Sequence, residues 1–291
     1  MGIEHTQNFL HSEKLVANLL SMSNLSLEDT VIEIGPGKGI ITKMLAEKCK
    51  SVVAVEYDKD LANSLIGDLG DIGNVQIVES DFLQYSLPKD YDYKMCANIP
   101  FNITADIMKK VLESDYPPED IYFIMQYEAF QKYSGNPYCS ESMRSLFYKP
   151  FYKSELLYEF KPTDFSPIPN ARICFAHFAR RTEYDVEDIA EYRDFISYIF
   201  LASGKSFREK TKKIFTREQH RRISKELAFD LDSTITSMSY DEWLFLYNIF
   251  INYVPKEKKL LVSSSEKKMK KTQEHIEKIH RTRCKGSWET R

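Results

Sequence analysis

The stretch V-I-E-I-G-P-G-K-G at residues 31–39 decides the fold, because a run of β-branched residues leads directly into three closely spaced glycines. A strand that ends at Gly35, Gly37 and Gly39 before an amphipathic stretch is typical of the first unit of an open α/β sheet. The spacing is not the G-x-G-x-x-G of a dinucleotide site, since Ile40 stands where the last glycine would fall, and it is not a P-loop. Such a loop suits an adenosyl ligand without phosphates, such as S-adenosylmethionine, although an ordinary tight turn is the alternative.

The alternation of strand-like and helix-like stretches continues outward from this unit. Strands are predicted at residues 31–35, 51–57, 75–80, 93–99 and 121–127, with helical spacing of apolar residues between them at 39–48, 59–66 and 104–113. This rhythm predicts a Rossmann-like, mainly parallel α/β sheet with helices on both faces. Two further strand-like runs, 151–160 and 171–179, flank a segment with three prolines, so we expect a hairpin at the sheet edge and seven strands in total.

The strand rhythm stops near residue 184, and only helical patterns separated by short polar breaks follow. We therefore predict a ligand-binding α/β domain over residues 1–182 and a small all-α domain over 183–255 that ends at Pro255. The remainder, 256–291, reads as a flexible basic tail in which residues 266–281 have the composition of a transient helix.

Composition excludes several classes of protein. The chain has 291 residues, of which 43% are hydrophobic, so it can bury a full core and is neither fibrous nor wholly disordered. It has no apolar stretch of membrane-spanning length and no signal-peptide pattern at the N-terminus, so we expect a cytoplasmic protein without a membrane partner. The five cysteines are scattered and never spaced C-x-x-C, which predicts reduced thiols and no metal site. We also expect a monomer.

The formal net charge of −3 hides an asymmetry along the chain. Residues 256–291 carry 12 basic and 5 acidic side chains, whereas residues 1–255 carry 28 and 38. Within that acidic body, residues 201–225 hold nine basic side chains against two acidic ones. These two basic zones suggest that a polyanionic partner binds at defined positions on the protein. The alternative is that the first zone is a solvated helix face and the second a disordered tail.

Two acidic residues extend the glycine loop into a possible ligand site. Glu56 ends the second predicted strand, where a carboxylate can accept hydrogen bonds from both ribose hydroxyls. Asp81 follows the third strand, where a carboxylate can accept one from an adenine amino group. Ligands of open α/β sheets bind at the carboxyl ends of the strands. The glycine loop, Glu56 and Asp81 all lie at that edge, so a cofactor site explains them better than three unrelated turns do.

The segment Asn98-Ile99-Pro100-Phe101 lies at another strand's carboxyl end and predicts a site for a nucleobase. An exocyclic base amine is a poor nucleophile, because its lone pair is delocalised into the ring. The Asn98 side-chain oxygen and the Ile99 carbonyl, held in place by Pro100, can each accept one N–H and direct the lone pair toward a sulfonium methyl group. Phe101 is then available to stack on the base. A simple Asn-Pro turn is the alternative.

Together these motifs resemble the ribosomal RNA adenine N6-dimethyltransferases over roughly residues 5–255. The resemblance rests on Q-N-F-L at 7–10, E-I-G-P-G-K-G at 33–39, V-E-Y-D at 55–58, E-S-D-F at 79–82 and N-I-P-F-N-I-T at 98–104. It implies a class I S-adenosylmethionine-dependent methyltransferase fold, an adenine N6 substrate in ribosomal RNA, and a helical domain that docks the RNA. DNA adenine methylases usually carry a second proline at the position of Ile99, so this sequence favours RNA.

The resemblance also implies a role for individual residues. The cofactor would be bound by Gln7, Asn8, Leu10, Gly35, Gly37, Glu56, Asp81 and Asn98. The methyl-transfer site would be formed by Asn98, Ile99, Pro100 and Phe101. The RNA would be contacted by Phe101, Phe165, Lys205, Arg208, Lys212 and Lys213. The N-terminal Q-N-F-L segment precedes a helix for which Ser12 is the expected N-cap.

Two branches of this family differ in their target. The segments K-K-I-F-T-R-E-Q-H-R-R-I-S-K-E-L at 212–227 and S-M-S-Y-D-E-W-L at 237–244 look more like the erythromycin-resistance methylases, which modify an adenine of 23S rRNA. That branch implies resistance to macrolide, lincosamide and streptogramin B drugs. The alternatives are a 16S rRNA dimethyltransferase of ribosome biogenesis and an assembly factor that binds RNA without catalysis. The tail beyond residue 255 departs from both branches.

Overall fold

The computed structural model describes residues 9–272, which form two compact units. The first unit contains the chain up to Ser134 together with Phe151–Thr182. The second contains Gly135–Pro150 and the chain from Glu183 onward. The α/β part thus ends where the strand rhythm of the sequence ends, but it lacks the internal segment Gly135–Pro150.

The first unit is built on the seven-stranded sheet that the sequence predicts. Its strands run in the order β4-β3-β2-β5-β6-β9-β7, with β7 and β9 antiparallel to their neighbours and the other five strands parallel. A separate pair, β1 and β8, is antiparallel. The strands are β1 (Phe9–Leu10), β2 (Thr30–Ile34), β3 (Ser51–Glu56), β4 (Val75–Glu79), β5 (Lys94–Asn98), β6 (Asp120–Gln126), β7 (Tyr152–Glu159), β8 (Phe165–Ser166) and β9 (Ile173–Arg180).

Five helices accompany this sheet in the first unit. They are α1 (Glu13–Ser21), α2 (Ile40–Lys48), α3 (Lys59–Leu69), α4 (Thr104–Leu112) and α5 (Tyr127–Ser134). Ser12 caps α1 as expected, because its hydroxyl accepts the Leu15 N–H at 3.2 Å. Asp58 caps α3 in the same way. Both caps lie directly after segments that the sequence assigns to the ligand site, so they fix where those segments end.

The register of the parallel strands brings their carboxyl ends to one edge. Ile34 pairs with Val55, Glu56 with Glu79, and Asn98 with Ile124. The central strands are nearly continuous apolar runs because both of their faces are covered, and Val31 and Ile32 are completely buried. The polar residues that follow these strands are therefore gathered along the edge of a rigid sheet.

Helices form the second unit. They are α6 (Met143–Tyr148), α7 (Ile189–Leu201), α8 (Phe207–Thr211), α9 (Arg217–Leu227), α10 (Tyr240–Tyr253) and α11 (Lys256–Val262). The core is aromatic, since Phe195 packs on Trp243 and on Phe250 with ring centroids 6.4 and 4.8 Å apart, and all three rings are buried.

Residues 135–150 belong to this second unit, although the sequence places them inside the α/β domain. The Glu141 N–H donates to the Thr236 carbonyl at 3.1 Å, and the Arg193 guanidinium lies 5.3 Å from the centre of the Phe147 ring. These partners come from distant parts of the chain, so no local pattern reveals them. The correction to the predicted α/β domain therefore concerns residues 135–150 and not its end at residue 182.

The predicted flexible tail also needs correction over residues 256–272. Pro255 begins a helix there, which its fixed φ allows at a helix N-terminus, and residues 265–272 are helical as well. Val262 at the end of α11 and Met269 in the following helical stretch are 1% and 6% exposed, so both stretches bury an apolar side chain. The remaining residues, 273–291, lie outside the described part of the chain.

Residues 9–272 contain neither a membrane-spanning helix nor a cluster of metal-ligating side chains. None of the helices there is long and apolar enough to cross a bilayer. The same part of the chain brings together no group of three or more histidine, cysteine, aspartate or glutamate side chains that could hold a metal ion.

Candidate active site

A cavity in the first unit lies at the carboxyl ends of β2 and β5. Three separate parts of the sequence form its wall: the N-terminal segment, the glycine loop, and the N-I-P-F motif. The lining residues are Phe9, Leu10, Glu33, Gly35, Pro36, Lys38, Ile40, Ile41, Asn98, Ile99, Pro100 and Phe101. The structure therefore brings six of the predicted site residues together around one space.

The glycine loop has the backbone that its sequence predicts. Gly35, Gly37 and Gly39 have φ angles of +61°, +59° and +76°, in the region that side chains disfavour. A Cβ atom on Gly37 would lie only 2.7 Å from Cε1 of Phe9, whereas a Cβ on Gly35 would meet no atom within 4 Å. Gly37 is thus required for the close approach of the N-terminal segment, and Gly35 leaves open space.

Glu56 fixes this loop to the neighbouring strand. Its carboxylate accepts the Gly37 N–H at 3.0 Å through Oε2 and the Asp58 N–H at 2.9 Å through Oε1. The side chain is 2% exposed and is not part of the cavity wall. Because a carboxylate has about four acceptor positions, one on each oxygen remains for ribose hydroxyls. The predicted contact between Glu56 and the ribose stays a prediction.

Asp81 lies farther along the same edge, after β4. It is half-buried, and its Oδ1 accepts the Leu83 N–H at 2.8 Å. The strand order β4-β3-β2-β5 places Asp81, Glu56, Gly35 and Asn98 one after another along the edge. Three strand spacings amount to about 14 Å, so an elongated ligand that lies along the edge can reach all four positions.

The N-I-P-F motif is held by backbone hydrogen bonds on both sides. The Ile99 N–H donates to the Ile124 carbonyl of β6 at 3.1 Å. The Pro100 carbonyl accepts the Thr104 hydroxyl at 3.3 Å, and a 3-10 turn starts at Phe101. Phe101 is half-buried in the cavity wall beside Asn98, the last residue of β5. The Asn98 amide, the Ile99 carbonyl and the Phe101 ring are thus held in fixed positions at the end of β5.

The N-terminal segment is held across the loop by a short strand pair. Leu10 pairs with Phe165, and Phe9 pairs with Ser166. Phe165 is 2% exposed and packs on Phe160 with ring centroids 5.1 Å apart, so it supports β1 and does not line the cavity beside Asn98. Its contact with a base stays a prediction. Gln7 and Asn8 lie outside the described residues.

The sequence analysis missed Glu33, which the structure places in the cavity wall. Glu33 lies in the middle of β2, is 1% exposed, and has an Oε2 atom to which no described residue donates a hydrogen bond. Burial raises the pKa of its carboxyl group to about 8; the nearby Glu56 adds to this rise, and Thr42 opposes it. The signal in the sequence is a single charged residue within the apolar run V-I-E-I. A buried carboxyl group of this kind suits a cationic part of a ligand.

The four basic residues that are predicted to contact RNA lie in the second unit and are exposed. They are Lys205, Arg208, Lys212 and Lys213. Arg208 is partly neutralised, because its Nε lies 3.2 Å from Oδ1 of Asp232. Lys210, from the same basic run, is turned inward and donates to the carbonyl oxygens of Phe200 and Ala202 at 3.1 and 2.6 Å. Not every cation of residues 201–225 is thus available to a partner.

Comparison of the sequence with known proteins shows the family to which the chain is similar. The sequence profile of the family described as "Ribosomal RNA adenine dimethylase" matches residues 2–252. An rRNA adenine N-6-methyltransferase of Bacteroides fragilis is 32% identical over 257 residues, covering 86% of this chain and 94% of that protein. A ribosomal RNA small subunit methyltransferase A of Fusobacterium nucleatum subsp. nucleatum is 26% identical, covering 85% and 96%. The resemblance drawn from the motifs is confirmed.

Solved structures share the fold. The 23S rRNA methyltransferase ErmE superposes with a TM-score of 0.78 at 23% identity, covering 84% of this chain and all of that one. A dimethyladenosine transferase from Plasmodium falciparum superposes with a TM-score of 0.67 at 15% identity, covering 83% and 97%. The predicted fold, a Rossmann-like methyltransferase sheet followed by a helical region, is confirmed.

The protonation of Glu33 provides a test of its place in the cofactor site. Below about pH 8 the carboxyl group is protonated in the empty site, and a bound ammonium group favours its ionised form, so binding must release a proton. We expect the dissociation constant of S-adenosylhomocysteine to fall as the pH rises from about 6 to about 8, by at most about tenfold per unit, and then to level off. Calorimetry in buffers of different ionisation enthalpy measures the proton release.

Two variants separate this effect from other titrations. Glu33→Gln should flatten the dependence of the dissociation constant on pH, whereas Glu47→Gln, on the exposed side of α2, should retain it. An equal slope in the wild type and in Glu33→Gln would contradict the assignment of Glu33 to the cofactor.

Gly37→Ala tests the close approach in the loop. The added methyl group meets the Phe9 ring and forces alanine into a left-handed conformation, which costs about 1–2 kcal/mol. The free loop relieves this strain by moving, and binding must restore its conformation, so we expect about tenfold weaker binding of S-adenosylhomocysteine in calorimetry. The matched control is Gly67→Ala in α3, where a Cβ meets no atom within 4 Å; it should bind normally and melt at the same or a higher temperature. Wild-type affinity in both variants would contradict this account of the loop.

Proposed function

The chain belongs to the ribosomal RNA adenine dimethylase family, and we propose that its substrate is one specific adenine of 23S rRNA. As a member of that family it is an S-adenosylmethionine-dependent rRNA adenine N6-methyltransferase. The choice of 23S rRNA and the residue roles given below are our proposal. The observation that carries the residue roles is the cavity in which Gly35, Glu33, Asn98 and Phe101 meet.

The residues around the cavity fit S-adenosylmethionine, which supplies an electrophilic methyl group on a sulfonium centre. The unpartnered Oε2 of Glu33 suits the ammonium group of the methionine part. Gly35 leaves space where a side chain would otherwise stand, and Gly37 brings Phe9 onto the loop. Glu56 has acceptor capacity for the ribose, and Asp81 has it for the adenine amino group. Gln7, Asn8 and Leu10 would close the methionine end.

Asn98 and Ile99 would prepare the target amine for attack. The Asn98 side-chain oxygen accepts one N–H of the amine and the Ile99 carbonyl accepts the other, which turns the nitrogen lone pair toward the methyl group. S-adenosylmethionine would supply the methyl group and keep the bonding electrons on sulfur, so positive charge would develop on the target nitrogen. Both acceptors stabilise that charge, so their effect is greatest in the transition state. The methylated nitrogen then loses its extra proton to water.

Pro100 and Phe101 would hold the base during this step. Pro100 fixes the direction of the Ile99 carbonyl, because its φ of −61° is set by its ring. Phe101 offers a half-buried aromatic face on which an unstacked adenine can pack, a contact worth about 1–3 kcal/mol. Since the product nitrogen is acidic, the reaction needs no strong general base.

The choice of 23S rRNA rests on the second unit. The segments at 212–227 and 237–244 resemble the erythromycin-resistance branch, and the fold matches that of a 23S rRNA methyltransferase. On this basis we propose that the activity confers resistance to macrolide, lincosamide and streptogramin B drugs. The second candidate is dimethylation of 16S rRNA. It is favoured by the similarity to a ribosomal RNA small subunit methyltransferase A, which matches 85% of this chain.

Labelled methyl transfer to naked 23S rRNA tests the role of Asn98. Removal of one such transition-state contact costs about 100-fold or more in rate, so Asn98→Ala should incorporate label at least about 100 times more slowly than the wild type. The matched control is Asn102→Ala, an exposed residue of the following 3-10 turn, which should retain the wild-type rate. Equal incorporation by both variants would remove Asn98 from the mechanism.

Mapping of the modified nucleotide tests the choice of target. Primer extension and mass analysis of rRNA from cells that express the chain should find N6-methylated adenine at one position of 23S rRNA, together with growth in the presence of a macrolide. An unmodified 23S rRNA beside a newly methylated 16S hairpin would overturn the proposal in favour of the second candidate.

A further inference from the structure

The segment after Pro255 is a part of this chain that the family does not account for. The family profile ends at residue 252, and the Bacteroides fragilis relative covers 86% of the chain. Residues 256–272 nevertheless form two helical stretches in the second unit. This docked segment, residues 256–272, carries exposed lysines on its outer side, among them Lys267, Lys268, Lys270 and Lys271.

Polar contacts fix the docked segment to α7. The Asp194 carboxylate accepts the Ser264 N–H at 2.5 Å and the Glu266 N–H at 2.9 Å, so it caps the start of the second helical stretch. Arg193 lies 3.7 Å from Glu266, and Val262 and Met269 are buried. The position of the docked segment is therefore determined by several independent contacts.

This docking completes a groove whose walls come from two parts of the chain. One wall contains Lys210, Lys212 and Lys213, which the sequence analysis singled out as basic; the other contains Ser265 and Lys268 of the docked segment. Lys212, Lys213 and Lys268 are exposed, while Lys210 donates to the backbone at the end of α7. Neither wall alone would surround a ligand with cations.

Acidic groups near this groove have partners of their own. Glu209 lies in the wall, but its carboxylate accepts the Lys205 N–H at 2.7 Å and the Ser206 N–H at 3.4 Å, where it completes the cap of α8. These hydrogen bonds hold its pKa below the usual range, so it stays ionised. Glu266 lies 2.7 Å from Lys270. With four lysines and one glutamate in its wall, the groove remains positive.

We propose that this groove binds the sugar-phosphate backbone of the rRNA substrate, with Lys212 and Lys213 on one side of the strand and Lys268 on the other. The docked segment is then an added RNA-binding element of this chain. Exposed lysines on both sides of an open groove suit a polyanion that passes through it, and the exposed Leu201 and the half-buried Tyr198 in the same wall suit the sugars. The proposal rests on the rRNA substrate of the family and does not depend on the choice between 23S and 16S rRNA.

Lys268→Gln in the full-length chain tests the contact from the docked segment. The probe is a synthetic rRNA hairpin that contains the target adenine, and its binding is followed by fluorescence anisotropy without cofactor between about 50 and 200 mM salt. Each phosphate contact contributes close to one unit of slope in the plot of log affinity against log salt, or about tenfold in affinity at about 0.1 M salt. We expect Lys268→Gln to lower the salt slope by about one unit and to weaken binding about tenfold at about 0.1 M salt. Lys213→Gln should have the same effect.

The matched control is Lys256→Gln. It removes the same charge from the same segment, but Lys256 lies in a different cleft, beside Asp188, Glu191 and Asp194. We expect it to retain the wild-type slope. An equal change of slope in Lys256→Gln and Lys268→Gln, or an unchanged slope in Lys268→Gln, would overturn the proposal.

Asp194→Ala tests whether RNA binding requires the docked segment to be in place or depends only on the net positive charge of the second unit. The variant removes a negative charge, which by itself would strengthen RNA binding, but it also removes the cap that holds the docked segment. Our proposal predicts weaker binding and a lower salt slope, together with an unchanged melting temperature of the α/β unit. Tighter binding by Asp194→Ala would contradict it.

These outcomes are independent of the target assignment. If the mapped nucleotide lies in 16S rRNA while Lys268→Gln still lowers the slope for that hairpin, the 23S proposal fails and the groove stands. If the mapped adenine lies in 23S rRNA while none of the groove variants changes the binding of its hairpin, the groove fails and the 23S proposal stands.

Discussion

The two hydrogen bonds that the buried Glu56 carboxylate accepts are the interaction on which the site depends. Glu56 ends β3, and Gly37 belongs to the loop after β2, so the Gly37 N–H bond fixes the loop to the neighbouring strand. A buried carboxylate is costly unless it is hydrogen-bonded, and here both oxygens have backbone donors. The loop cannot move away without exposing that charge to an apolar environment, so the shape of the cavity is set before any ligand arrives.

The rest of the site follows from the parallel sheet around this point. The flush carboxyl ends of β2, β3, β4 and β5 place the glycine loop, two acids and the N-I-P-F motif along one edge. The chemistry this edge can perform depends on alignment, because hydrogen-bond acceptors and a ring face are what an adenine amine needs for methylation. Since the acceptors sit on a strand end and a proline-fixed turn, they need little reorganisation during the reaction.

Much of this could be predicted from the sequence, because the α/β unit depends on local patterns. The seven strands, the positive φ angles of Gly35 and Gly37, and the Ser12 cap follow from periodicity and turn chemistry. Glu33 was missed because a single charge in a buried strand gives no indication of the direction in which it points. The assignment of residues 135–150 and the docking of residues 256–272 depend on partners such as Thr236 and Asp194 that are distant in sequence. The lysine-rich composition of residues 256–272 led to the prediction of a flexible tail, although Val262 and Met269 are buried there.

A crystal structure of the chain with S-adenosylhomocysteine bound tests the central claim most directly, since that claim concerns where the methyl donor lies. Our account predicts density along the carboxyl edge, with the ribose hydroxyls on Glu56, the ammonium group on Glu33 and the sulfur beside Asn98. Density at any other place on the molecule, with the cavity between the glycine loop and Phe101 still empty, would contradict it.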